Sequence, residues 1–343
     1  MELSHPSDTT GCPKSSAPPP ITLNDAELPA ASAAALRGQA VTRSIMRPLT
    51  KRIRCTPAGV RLLRLLTGPP NRLSRPVKGT VIRQVRQQAV VGEWVSAAGT
   101  AGGHQVLLYL HGSAFTIMSA STHRGLVSRL SDRTGLAAFS VDYRLAPEHP
   151  FPAASDDVMS AYRYVLANGH RPADIAIVGD SAGAFLAVEL ALRLARADEP
   201  APGALVLFSP LFELTLQLAA QQELATPDPL IRAADCRRLV ELYLGEADRS
   251  DPRITLSFDD VGQFPPTLIQ TGGHEMLQAD AQRLHALLRA ASHRSFLQVW
   301  PGQSHVFQAI ASLPESALAL REASQFLRWA LDQPAMNTRE ARR

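Results

Sequence analysis

The sequence predicts an α/β fold, a mostly parallel sheet with helices on both faces. Short apolar runs alternate with stretches of helical periodicity, giving a βαβα rhythm. Aliphatic residues are abundant, while aromatics make up only 6 % of the 343 residues, which suits a core of buried parallel strands. That length fits one large α/β domain with a lid, or two small domains. The chain contains no internal repeat.

The N-terminal end stands apart from this rhythm. Residues 1 to about 35 are rich in Pro, Ser, Thr and Ala, including Pro18-Pro19-Pro20, and 1–27 are expected to be disordered. They lack the charged-then-apolar order of a signal peptide. No apolar run approaches the roughly 18 residues a membrane span requires.

Residues 28–75 form a basic segment. From Leu28 to Gly92 there is no Asp or Glu, against thirteen Lys and Arg. Within it, Thr56-Pro57 suits a helix start and Gly68 a stop. Val60, Leu62, Leu63, Leu65 and Leu66 are apolar there, and Arg61 and Arg64 are not. Three readings compete. The favoured one is a cap helix with its leucines over the site and its arginines solvated. The second is contact with an anionic membrane surface or lipid substrate. Nucleic acid is disfavoured, because no recognition motif accompanies the charge.

Residues 76–335 carry the alternation. Strands are expected at Gln105–Leu110, Leu136–Val141, Ile175–Val178, Ala204–Phe208, Thr267–Thr271 and Phe296–Val299. Helices are expected at Ala154–Ala167, Gly183–Ala197, Ala233–Leu244, Ala279–Ala291 and Leu313–Leu331. Residues 336–343 are a tail. Cys12, Cys55 and Cys236 are odd in number and widely spread, which fits a reducing cytoplasm and neither a disulfide framework nor a zinc site. There is no H-E-x-x-H, P-loop or G-x-G-x-x-G, so no metal, nucleotide or other cofactor is called for.

Chemistry concentrates at strand ends. Gly179-Asp180-Ser181-Ala182-Gly183 spells G-x-S-x-G between a strand and a helix, a sharp turn where glycines at both ends leave room. Ser181 is the candidate nucleophile, and the N–H of Ala182 opens the following helix toward a developing negative charge. A serine hydroxyl needs a base and an orienting acid. His305 lies in a Gly/Pro-rich loop after one strand, and Glu275 just beyond another, in the loop Gly272-Gly273-His274-Glu275. The order Ser181, Glu275, His305 is the nucleophile–acid–base order of α/β-hydrolases. Asp280 is the runner-up acid; its alternative role is an N-terminal helix charge favoured by the dipole.

His111-Gly112-Ser113-Ala114-Phe115 follows a further strand, in a position that supplies backbone N–H donors in lipases and esterases. The long stretch Asp142-Tyr143-Arg144-Leu145-Ala146-Pro147-Glu148-His149-Pro150-Phe151-Pro152-Ala153 is more specific than the serine motif. Together these segments resemble the hormone-sensitive-lipase-like branch of the α/β-hydrolases, the family IV esterases, from about Gln105 to Leu331. The resemblance implies an α/β-hydrolase fold with a helical cap, to which about 213–245 also contribute. It implies an oxyanion hole from the N–H groups of Ser113, Ala114 and Ala182, with His111, Gly112, Gly179, Asp180 and Gly183 in support. This chain departs from the family in two places. Ser113 and Ala114 stand where glycines are usual, which predicts a working but narrower hole if the dihedrals suit L-residues. Glu275 stands where aspartate is more common, a variant that still orients a histidine.

The functional expectation is a serine carboxylesterase, and the resemblance implies short- to medium-chain acyl esters, since caps of this family usually enclose a compact acyl pocket. Alternatives are a lipase on longer-chain or anionic lipid esters at a membrane surface, acyl transfer, and a non-catalytic binding protein. Plant gibberellin receptors are of that last kind, resembling the family without its histidine. The partners implied are a small-molecule acyl ester, then an anionic membrane surface or a homodimer, and not nucleic acid.

Overall fold

The structure, a computed structural model, describes residues 18–22, 27–48, 55–67, 75–87, 89–100, 102–112, 114–259 and 261–332. The segment 1–17, most of the expected disordered stretch, and the tail 336–343 lie outside the described residues.

Eight strands form one sheet: β1 Val81–Gln87, β2 Val90–Ser96, β3 Val106–Leu110, β4 Ala137–Val141, β5 Ile175–Asp180, β6 Ala204–Phe208, β7 Thr267–Gly272 and β8 Ser295–Trp300. Their order is β1-β2-β4-β3-β5-β6-β7-β8. Only the β1–β2 and β2–β4 pairings are antiparallel. The described α-helices are α1 Ala33–Val41, α2 Pro57–Thr67, α3 Ala120–Thr134, α4 Ala153–Ala167, α5 Ala182–Arg196, α6 Gln217–Ala225, α7 Ala233–Leu244, α8 Gln278–Ala290 and α9 Pro314–Leu331.

The period-2 geometry of the strands divides the core in two. Val106, Leu108, Leu110, Ile177, Leu205 and Leu207 pack on one face, beneath α4, α5 and α8. The alternate residues Leu107, Tyr109, Val178, Val206 and Phe208 pack on the other, against α3 and α9. Because both faces are covered, β3, β5, β6 and β7 are buried at every position. β1 lies at the sheet edge with Arg83 and Arg86 exposed, the charged edge that discourages pairing with another chain.

The six expected strands and five expected helices of the α/β rhythm are all present, shifted by at most two residues at any end. Three further features carry no sequence expectation. β1 and β2 pair as a hairpin from Gln87 opposite Val90, and the sequence there lacks the Asn-Gly or Asp-Gly signal of a two-residue loop. α3 buries His123, Gly125, Ser128 and Ser131 beside its few aliphatic residues, so no apolar stripe marks it. α6 buries only Ala219.

Candidate active site

Ser181 sits where β5 ends and α5 begins, with φ 51° and ψ −118°. An L-residue in such a region costs about 1–3 kcal/mol, so the surroundings must hold it. They do. Its N–H donates to the Phe208 carbonyl at 2.9 Å, and its own carbonyl accepts from Ala184 at 3.1 Å and Leu211 at 3.2 Å. The glycines on either side are there because the backbones touch. A Cβ on Gly179 would lie 2.6 Å from the Gly183 carbonyl, and one on Gly183 only 2.0 Å from the Leu110 carbonyl. Ala182, the first residue of α5, has an N–H with no intrahelical acceptor.

Glu275 and His305 follow the C-terminal ends of β7 and β8, the edge of the sheet where ligands gather in open α/β folds. Nδ1 of His305 lies 2.9 Å from Oε2 of Glu275, which is fully buried. The other carboxylate oxygen accepts the Thr271 hydroxyl and, at 2.9 Å, the Gly272 N–H. A carboxylate can only accept, so Nδ1 carries the proton and Nε2 the lone pair. Burial opposes the imidazolium of His305. The Glu275 hydrogen bond and charge, with Asp228 and Asp180 farther off, outweigh it and raise the pKa above the ordinary 6.5.

The two loops are also joined to each other through backbone. Gly273 N–H donates to the Trp300 carbonyl and His274 N–H to that of Gln303, both at 2.8 Å. Ser209, at φ 46°, accepts the N–H of Val306 on its hydroxyl at 3.0 Å and so fixes the residue after His305.

The loop after β3 is held from beneath by the serine motif itself. Oδ1 of Asp180 accepts the Gly112 N–H at 2.9 Å and the Tyr109 hydroxyl at 2.6 Å. Nε2 of His123 lies 3.5 Å from the other oxygen. Gly112 is required here, since a Cβ would come within 2.1 Å of that second oxygen. His111 stacks on Tyr143 at 4.2 Å, and burial drops its pKa to about 3, leaving a neutral packing ring. Ser113 lies outside the described residues. Ala114 and Phe115 both have positive φ, 46° and 60°, so the loop keeps a glycine-like path at a cost. Phe115 supplies the anchor: it is fully buried, stacked on Tyr243 at 3.9 Å, and its carbonyl accepts from Ala146 at 2.9 Å.

Comparison with known proteins agrees with this geometry. The alpha/beta hydrolase fold family matches residues 107–309. An esterase from Acinetobacter venetianus is 36 % identical, over 71 % of this chain and 81 % of its own. An acetyl-hydrolase from Streptomyces hygroscopicus is 39 % identical, over 69 % of this chain and 79 % of its own. The crystal structure of an esterase from the bacterial hormone-sensitive lipase family superposes with a TM-score of 0.78 and 34 % identity, covering 88 % of this chain and all of that one. The chain belongs to the α/β-hydrolases, in their hormone-sensitive-lipase-like branch. It is a carboxylic-ester hydrolase.

Within this hydrolase the runner-up acid does other work. Asp280 is buried in the first turn of α8, and its Oδ1 accepts the N–H groups of Phe212 at 2.9 Å and Glu213 at 2.8 Å. Burial raises its pKa to about 7. It bonds to these two amides, while the ring of His305 is met by Glu275.

Sequence reasoning missed Asp228. This fully buried carboxylate sits between α6 and α7, accepts the N–H groups of Leu230 at 2.7 Å and Ile231 at 2.9 Å, and reaches Met276 N–H at 3.1 Å. It thereby ties the segment between β6 and β7 to the residue after Glu275. Burial raises its pKa, against the opposing pull of His305 and the three amides. The only sequence mark is Asp228-Pro229 before a helix, an ordinary turn signal.

The basic helix α2 also differs from expectation. Arg64 is not solvated: it donates to the carbonyls of Thr116 at 2.8 Å and Ala146 at 2.7 Å and to Glu148 at 2.9 Å. The planar guanidinium satisfies three acceptors beside the β3 loop at once. With Val60 and Arg64 turned inward, Leu62, Leu65 and Leu66 face solvent rather than the site.

Proposed function

We propose that this hydrolase cleaves short- to medium-chain acyl esters through an acyl-enzyme on Ser181. The observation that carries the proposal is the 2.9 Å His305–Glu275 pair, which leaves Nε2 as the basic nitrogen, on the same sheet edge as the strained Ser181. Nε2 takes the Ser181 proton as the oxygen attacks the ester carbonyl. The carbonyl oxygen becomes an oxyanion, met by the N–H of Ala182 at the start of α5 and of Ala114 in the β3 loop. Collapse expels the alcohol, which leaves with the proton held on Nε2. Water, deprotonated by the same nitrogen, attacks the acyl-enzyme, and the acid is released with Ser181 restored. Glu275 holds the ring orientation and stabilises the imidazolium in both halves.

Two features favour compact acyl groups. Arg64 fastens the N-terminal helix α2 against the β3 loop, and a relative at 39 % identity is an acetyl-hydrolase. The test is hydrolysis of p-nitrophenyl esters from acetate to palmitate, by wild type and Ser181→Ala. A burst with short chains, and a loss of about 10⁴-fold or more in the variant, supports the reading. Preference for palmitate removes the chain-length proposal, and an unchanged rate in the variant removes the mechanism.

A further inference from the structure

The N-terminal segment is fastened at successive points to both loops of the site. Ser32 bonds to Glu315 on α9, and Gln39 donates to the carbonyl of Gly302, three residues before His305. Arg47 pairs with Glu223 on α6 at 2.5 Å, and Arg64 holds Thr116 beyond the β3 loop. Whatever contacts the outer face of this segment is brought up to the site.

That outer face combines exposed apolar side chains with the cations Arg37, Arg43 and Arg61. Of the twelve large hydrophobic residues exposed among the described residues, six lie between Leu36 and Leu66. Single exposed leucines need no explanation, but here Leu62, Leu65 and Leu66 share one face of α2 at i, i+3 and i+4, with Leu65 81 % exposed. Arg61 flanks that face, 68 % exposed, with Glu148 3.5 Å away as its ion-pair partner. From Leu28 to Gly92 the chain offers cations and no carboxylate.

We propose that α2 docks on an anionic lipid surface. Leu62, Leu65 and Leu66 enter the boundary between headgroups and acyl chains, and Arg61 meets the anionic headgroups, as basic amphipathic helices do. Charge selects this occupant over a second copy of the chain. A two-fold contact would set the exposed Arg37, Arg43 and Arg61 against their own copies, with Glu148 the carboxylate beside them, whereas an anionic bilayer complements these cations. Docking would seat the site's loops at the interface. Binding is read without turnover, so the proposal stands or falls separately from the choice of ester.

The test is co-sedimentation of the full chain with vesicles of phosphatidylcholine alone and of phosphatidylcholine mixed with phosphatidylglycerol. Wild type is expected to prefer the anionic vesicles, and to lose that preference as salt rises. Leu65→Ser with Leu66→Ser is expected to weaken binding by about tenfold or more, given the transfer free energy of even partly inserted leucines. Arg61→Gln is expected to weaken it about fivefold, the equivalent of one cation at a charged leaflet. All these side chains are exposed, so both variants should fold and hydrolyse a soluble short-chain ester at the wild-type rate. Equal binding by wild type and the serine variant, or no preference for anionic vesicles, overturns the proposal. So does self-association that the serine variant abolishes without vesicle binding, which would make the face a contact between copies.

Discussion

Asp180 holds the N–H of Gly112 on Oδ1 at 2.9 Å, so the residue before Ser181 also fixes the loop after β3. The same oxygen takes the Tyr109 hydroxyl, and the carboxylate is buried. Burial disfavours its charge, but His123, Tyr109 and Gly112 together lower its pKa. One side chain therefore positions two halves of the candidate site.

Asp180→Ala is expected to leave both donors without an acceptor. Each buried unsatisfied group costs about 1–3 kcal/mol, so a stability loss of about 2–5 kcal/mol is expected by denaturant titration. Activity should fall in kcat more than KM rises, because in the proposed mechanism the loop donors act on the oxyanion rather than on the bound ester. Asp180→Asn keeps an acceptor and should recover most of the stability. An alanine variant with wild-type melting and wild-type kcat would remove this role.

With neutral His305 as the base of the proposed mechanism, its raised pKa is expected to set the acid limb of the rate profile. On that reading kcat/KM should climb as pH rises through that pKa, with a midpoint above the ordinary 6.5. Asp228 is one of the negative charges holding it up. In Asp228→Asn that charge is gone, the histidine loses its proton more readily, and the limb should move to lower pH. The plateau rate reports any slackening of the Met276 contact separately. A limb that stays in place would mean Asp228 acts only as a backbone tie.

Glu275 offers a sharper separation of charge from shape. Glu275→Gln keeps an oxygen for the Nδ1 proton but no charge for the imidazolium, and a fall in kcat of about 10³–10⁴-fold is expected. Glu275→Asp keeps the charge on a side chain one methylene shorter. It cannot hold Thr271, Gly272 and His305 at once, so a loss of about 10–100-fold is expected, with aspartate the better of the two. Reversal of that order, measured on a soluble ester, would assign the role to geometry alone.

What could be read in the sequence follows from where the information is local. β3 to β8 announce themselves as short apolar runs, and β3, β5, β6 and β7 are buried at every position. The β1–β2 hairpin and α3 do not, since Gln88-Ala89 is no turn signal and α3 buries His123 and Ser128 where an apolar stripe would be sought. Ser181, Glu275 and His305 stand at strand ends in a recognisable order. Asp228 and Ser209 were invisible because each acts on a backbone amide that only folding brings near, Met276 and Val306 respectively. The orientation of α2 was equally out of reach. Its pattern shows an apolar stripe, but three acceptors at the far end of Arg64 decide which side turns inward.

Asp280 provides the control for the choice of acid. It is a buried carboxyl in the first turn of α8, five residues after Glu275, and its pKa is raised to about 7. Between the ordinary value of 3.8 and about 7, the unfolded chain ionises this group while the folded chain keeps it protonated. Folding stability from Asp280 is therefore eroded as pH rises across that window, and the erosion is complete above it. Asn presents the same acceptor to Phe212 and Glu213 and cannot ionise. Relative to wild type, Asp280→Asn should gain stability steadily from about pH 4 to about pH 8, read as the difference in melting temperature between the two proteins. Its kcat/KM should stay within about threefold of wild type, far from the collapse expected of Glu275→Gln. If the two variants lose activity alike, the acid is not Glu275 alone, and the 2.9 Å pair with His305 would have to be one of two working arrangements.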